Sequence, residues 1–284
     1  MLVPCLDEAA TIGGVVAGFR SALPGCTVYV YDNGSAADTA RRAAEAGADC
    51  LGLGDTNGGS LPGRIESMVR DVVAAVDCAV GVHLHNDTGC GVANALAGVA
   101  AGATHVQGTI NGYGERVGNC DLVPIIANLT LKLGVETIAA DRLAELTPVA
   151  HHVAELVNFA ADPQQPYVGT TAFAHKAGLH TSAIARRRDA YEHGEPAPVG
   201  YGTRFIVSQM AGRSTIELKA TQLGIELDGD TLGEIVETLK ELEYAGYHFE
   251  VADASLELLM RAAAGWTQDY FALESFSVKV RHRA

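Results

Sequence analysis

His83 and His85 are the pair of residues in this chain best spaced to do chemistry together. They stand two apart at the end of an apolar run, Ala79 to Leu84, that reads as a strand. Alternate strand residues share a face, so both imidazoles aim the same way. Asn119 ends a glycine-rich loop, Gly112-Tyr113-Gly114-Glu115-Arg116-Val117-Gly118-Asn119, and offers a carboxamide oxygen. Two imidazoles with oxygen donors suit a divalent ion such as Zn, Mn or Mg. A His-x-His pair alone is more often two satisfied strand histidines than a metal site. The adjoining Asn86-Asp87 and the loop add weight to the metal reading, with Asp87 placed to orient one ring. Four glycines between Gly108 and Gly118 allow close backbone approach.

Two further segments carry reactive residue types. Asp55-Thr56-Asn57-Gly58-Gly59 lies between a strand and a helix. It reads either as a plain turn capped by Thr56 or Ser60, or as a hydroxyl and amides that grip a substrate carboxylate at a helix N-terminus. Phe173-Ala174-His175-Lys176-Ala177-Gly178-Leu179-His180 places two histidines five apart, which is not metal spacing. One can act as a general base, or both can be ordinary polar residues. Tyr191 is a proton donor or a surface aromatic. Arg186-Arg187-Arg188 is a solvated helix face or a contact for phosphate.

The elements that must hold these residues alternate. Strands are expected at Leu2–Cys5, Thr27–Tyr31, Cys50–Leu53, Ala79–Leu84 and His105–Ile110. Helices are expected at Thr11–Ser21, Ala36–Ala46, Leu61–Val76, Gly91–Ala101 and Leu122–Leu133. Such alternation means βαβ units and a parallel sheet, with the motifs at the C-terminal ends of strands, where α/β folds build sites. From about residue 140 the pattern is mainly helical, with an apolar stripe through Leu232, Ile235, Val236, Leu239 and Leu242. Val157–Gly169, with Pro163 and Pro166, reads as a linker, and Phe276–Val280 as a strand.

The chain has 284 residues, 48% hydrophobic and 19% charged, which is ordinary globular composition. A net charge of −14 argues against nucleic acid as the main partner. The six cysteines, all at or before position 120, contain no CxxC and form no disulfide framework, so a reducing cytoplasm is expected. The N-terminus lacks the features of a signal peptide, and no apolar stretch reaches the roughly 20 residues of a membrane span.

Taken together, Asp55 to Gly59, His83 to Asp87, Thr109 to Asn119 and Phe173 to His180 occur in the order and spacing of one family. From about Thr39 onward the chain resembles the 2-isopropylmalate and homocitrate synthase family. Gln107 to Arg116 and Gln165-Pro166-Tyr167-Val168-Gly169 resemble its citramalate synthase branch. The resemblance implies a TIM barrel, helical subdomains and a C-terminal regulatory domain. It implies an acyltransferase of branched-chain amino-acid biosynthesis. A divalent metal holds a 2-oxo acid, pyruvate in this branch, which condenses with acetyl-CoA, and CoA is released. It further implies His83, His85 and Asn119 as metal ligands, Thr56 as a substrate contact, and His180 and Tyr191 in acid–base roles. In the family these last two reach into a partner's barrel, so a homodimer is implied.

Two departures are visible. The family's Thr-Leu-Arg-Asp-Gly motif, source of an aspartate ligand and an arginine, is absent. By family architecture the chain keeps barrel strands six to eight. Residues 1–38 instead resemble the opening βαβ unit of family 2 glycosyltransferases, with Asp32 at the position of their nucleotide-sugar site. The expected fold is therefore α/β. A glycosyltransferase-like βαβ fragment (1–38) supplies two surrogate strands to the C-terminal part of a TIM barrel (39–139). Helical subdomains (140–270) and the start of a regulatory domain (271–284) follow. Without the anionic ligand, weak metal binding and little turnover are expected.

Overall fold

The computed structural model describes residues 1–35, 38–175, 178–207, 211–250, 252–267, 274–275 and 277–280. They divide into two compact units, one of residues 1–172 with 195–202, the other of 173–194 with 203–284.

The first unit is built on a parallel sheet of five strands: β1 (Leu2–Cys5), β2 (Tyr29–Asp32), β3 (Cys50–Asp55), β4 (Ala79–Leu84) and β5 (His105–Gln107). Their spatial order is their chain order, and each adjacent pair is parallel. Helices α1 (Ile12–Ala22), α2 (Thr39–Glu45), α3 (Pro62–Ala75), α4 (Gly91–Ala100) and α5 (Leu122–Leu133) intervene or follow. Right-handed crossovers in an unreversed strand order put every connecting helix on one face, and α1 packs on α2, α3 on α4 and α4 on α5. A doubly wound sheet reverses its order at a switch point; this sheet has the order of a barrel segment. It is open, with β1 and β5 as edges.

Period-two alternation sorts the side chains. Val30, Leu51, Leu53, Val80, Val82 and Leu84 are buried against Val16, Ile65, Val69, Ala95 and Ile125 of the helices. Tyr29, Tyr31, His83, His105 and Gln107 take the other face and are half-buried. Glycine at 52 and 81 makes that face shallow. A Cβ on Gly52 would lie 2.3 Å from the Tyr31 ring, and one on Gly81 would lie 2.9 Å from that of His105.

After β5 the chain leaves the sheet earlier than expected. Gly108 lies against the Cys120 backbone, where a Cβ would meet its carbonyl at 2.4 Å, and a short 3₁₀ turn follows at Ile110–Gly112. Helix α6 (Leu146–Leu156) completes the regular elements of this unit's main segment. Segment 157–169 is no slack linker: Gln165, Tyr167 and Val168 are buried. The Gln165 amide donates to Asn111 Oδ1 and Asp121 Oδ2, and Tyr167 Oη donates to Asn128 Oδ1.

The second unit contains a two-residue ladder, β6 (Ala174–His175) with β7 (Arg204–Phe205), and helices α7 (Gly178–Arg186), α8 (Arg213–Leu223), α9 (Gly229–Tyr244) and α10 (Asp253–Ala263). Its core joins Ile216, Leu232, Ile235, Val236, Leu239, Leu256 and Met260, the expected apolar stripe among them. Ala36 and Ala37, the expected start of the second helix, lie outside the described residues, as do Lys176, Ala177 and Phe276; residues 277–280 carry no strand. No described helix is long and apolar enough to cross a membrane.

Candidate functional site

At the C-terminal edge of β3, β4 and β5, three loops meet. His83 and His85 share the helix-free face, their ring centroids 5.3 Å apart. Asn119 returns to them through an isolated antiparallel bridge with His85, and its Nδ2 lies 3.4 Å from His85 Nε2. Rotating that carboxamide half a turn points its oxygen at the ring. Gly114 leaves the space, since a Cβ there would stand 2.1 Å from Asn119 Oδ1. The three residues singled out as ligands are therefore assembled.

The two rings differ in their support. His83 Nδ1 lies 3.1 Å from Gln107 Oε1. His85 is only 7% exposed, and its Nδ1 is buried with no hydrogen-bond partner among the described residues. Burial, then the neighbouring His83 ring, hold the His85 imidazole below its ordinary pKa of 6.5, so it stays neutral and able to donate a lone pair. Among the described residues no three His, Cys, Asp or Glu side chains converge as a metal group. The donor set is two imidazoles and an amide. It fits a divalent ion that takes its remaining ligands from water or a bound acid.

Asp87 does not orient either histidine, contrary to the expectation. Its carboxylate is committed to Arg116, with Nε–Oδ1 2.8 Å and Nη2–Oδ2 2.9 Å, and this pairing holds it below the usual carboxylate range. Arg116 also donates to the Thr56 carbonyl at 2.9 Å, so one guanidinium ties together the loops after β3, β4 and β5. The reason is reach: Asp87 lies two residues beyond His85, past the end of the strand, where the fork of Arg116 offers a bidentate partner.

In the loop after β3, Ser60 does not cap the helix. Its hydroxyl and amide bond to Asp55, each at 3.1 Å, and the N-cap of α3 is Leu61, with no side-chain cap. Thr56 Oγ1 hydrogen-bonds to Asn33 Oδ1. Gly58 has φ +66°, and a Cβ on it would meet Asp87 Oδ2 at 2.3 Å, so glycine is required. Thr56 lines a cavity of about 670 Å³ together with Asn33, Asp55, Asn57, Arg64 and Arg116. Asp32, the residue of the glycosyltransferase resemblance, instead accepts from the amide and hydroxyl of Ser35 at 2.9 and 2.6 Å.

The second unit gathers the other expected residues. His180 stacks on Tyr191, ring centroids 4.2 Å apart. Beside Tyr191, the buried Glu192 accepts from Arg188, Thr203 and His175, the last at 3.3 Å. Burial pushes its carboxyl up, but these donors outweigh it and set its pKa below the usual 4.5. The arginine run is thus no uniform solvated face: Arg188 serves Glu192, while Arg187 pairs with Asp189.

Nothing in the local sequence around Gln107, Arg116 and Gln165 marks them as hydrogen-bonding residues of the site. Their partners are 24 to 76 residues away, and only strand register and loop closure bring them together.

The sequence matches two known families and several known proteins. Residues 29–153 match the HMGL-like family and residues 167–246 the homocitrate synthase post-HMGL domain-like family. The first match opens at Tyr29, so β2 lies inside it. The chain is 54% identical over 239 residues to the (R)-citramalate synthase of Streptomyces coelicolor, covering 83% of this chain and 45% of that protein. It is 46% identical over 244 residues to the (R)-citramalate synthase of Aquifex aeolicus, covering 85% and 46%. A probable 2-isopropylmalate synthase of Methanopyrus kandleri is 39% identical over 199 residues, covering 70% and 39%. The chain spans somewhat under half the length of these relatives.

Proposed function

We propose that this chain is part of an acyltransferase of citramalate synthase type, which condenses acetyl-CoA with a 2-oxo acid and releases CoA. The observation that carries the reading is the convergence of His83, His85 and Asn119 at the sheet's C-terminal edge, inside the HMGL-like segment. The greater identity to citramalate synthases than to the 2-isopropylmalate synthase supports pyruvate as the 2-oxo acid. In this reading residues 39–139 are the C-terminal part of a barrel, 140–270 helical subdomains, and 271–284 the start of a regulatory domain.

His83, His85 and Asn119 would hold the divalent metal: Mg, Mn or Zn. When bound, it supplies Lewis-acid polarisation of the ketone. Thr56, on the cavity wall after β3, binds the substrate carboxylate. His180 does acid–base work with Tyr191, whose ring it stacks on, and serves the barrel of a second copy, which makes the assembly a homodimer. The enzyme is cytoplasmic. A nucleotide-sugar function is not favoured: the strand order has no reversal to form its crevice, and Asp32 is spent on Ser35.

The test is Mn and Zn titration of the purified chain, with thiol release from acetyl-CoA measured in parallel. Saturable binding that His85→Ala abolishes is expected. Thiol release should require both pyruvate and metal, and be slow because no carboxylate joins the donor set among the described residues. A folded wild-type chain that binds neither ion, or whose thiol release is indifferent to His85→Ala, would refute the reading.

A further inference from the structure

We propose that Gln107 is a positioning residue that sets which nitrogen of His83 faces the metal. The inference rests on the metal reading above and concerns the metal-free chain. Strand register pairs His83 with Gln107 across β4 and β5. There Gln107 Oε1 stands 3.1 Å from His83 Nδ1. A neutral imidazole carries one N–H. A carbonyl oxygen at Nδ1 draws that proton to Nδ1 and leaves the Nε2 lone pair free for a ligand. The amide is itself held, because its Nε2 donates to Tyr31 Oη across two intervening strands. The Tyr31 ring reaches that position by lying over Gly52, where any Cβ would strike it. The sheet's helix-free face is thus crossed by a hydrogen-bonded row, Tyr31–Gln107–His83. Asp87, the nearest carboxylate by sequence, is unavailable for the task because Arg116 occupies it.

The contrast with His85 supports the assignment. Its Nδ1 has no partner among the described residues, and Asn119 faces its Nε2. Of the two rings, His83 alone has a described partner at Nδ1, and that contact is the shorter of the two.

The experiment is long-range ¹H–¹⁵N spectroscopy of the metal-free, histidine-labelled chain at pH 8, with Mn or Zn titration of the same samples. Wild type and Gln107→Glu, which keeps an oxygen acceptor, should show His83 as the Nδ1–H tautomer. Gln107→Leu should shift His83 toward Nε2–H and weaken metal binding about 10- to 100-fold, with rescue in Gln107→Glu. Tyr31→Phe removes only the hydroxyl that holds the amide's far end. It should move the tautomer the same way by less, and it remains informative if Gln107→Leu does not fold. A wild-type His83 found as Nε2–H, or a tautomer unmoved by both Gln107→Leu and Tyr31→Phe, would overturn the proposal. The predicted tautomer response in a chain that binds no metal would refute the metal centre and uphold the hold of Gln107 on the ring.

Discussion

The two histidine-bearing clusters of this chain are built on opposite plans. At the edge of the sheet, His85 keeps a buried nitrogen without a partner among the described residues, and Asn119 an amide that can turn. In the second unit, Glu192 is buried beneath three donors, Arg188, Thr203 and His175. A buried polar atom left unpaired costs free energy, so it persists where something else completes it. A carboxylate fully paired by its own chain is framework. On this view the sheet cluster receives a ligand, and the Glu192 cluster fixes the chain that carries Tyr191 and its stacked partner His180.

Three changes would break or sharpen the contrast. The largest effect is expected from Glu192→Leu. Removing the acceptor strands His175 and Thr203, and the second unit should lose about 1–3 kcal/mol, read from the urea midpoint. Metal affinity should hold. A variant of unchanged stability that loses metal would reverse the two roles. Next is Gly114→Ala. Its methyl would press on Asn119 Oδ1 and push the carboxamide from His85, weakening Mn or Zn binding about tenfold in calorimetry. Unaltered affinity would remove Asn119 from the donor set.

The smallest effect is in pH dependence, where the clusters should fail in different windows. His85 titrates below its ordinary 6.5 in the folded chain. Between that native value and 6.5 the unfolded chain binds the extra proton, so stability is full above 6.5 and falls as pH drops through that interval. Glu192 titrates below 4.5 when folded, so its contribution is intact above 4.5 and lost only as pH falls further. Urea midpoints from pH 7.5 to 3.5 should show the first loss flattened in His85→Gln and the second retained. A loss setting in just below pH 6.5 that survives His85→Gln would assign it to another group.

The sheet was legible because its information is local. Period-two runs such as Ala79–Leu84 and apolar stripes on helices name their own conformations, and His-x-His on a strand names its own face. What was not legible depended on register. Nothing near Gln107 shows that it will lie opposite His83. Asp87 sits in sequence where an orienting carboxylate would, yet Arg116 claims it. The prolines of 157–169 suggested slack, whereas the buried Gln165 closes on Asn111 and Asp121. Each case turns on a partner tens of residues away.

The unreversed strand order also has a kinetic meaning. Each strand pairs with the next along the chain, so loops closed during assembly are short and their entropic cost is modest. Strands can join one after another as units of neighbouring chain. The bond from Gln107 to Tyr31 departs from this, since it skips two strands and spans 76 residues. It can form only after β5 has joined β4. The hydrogen bond that holds Gln107 beside His83 therefore reports a sheet in which β2 to β5 are all in register.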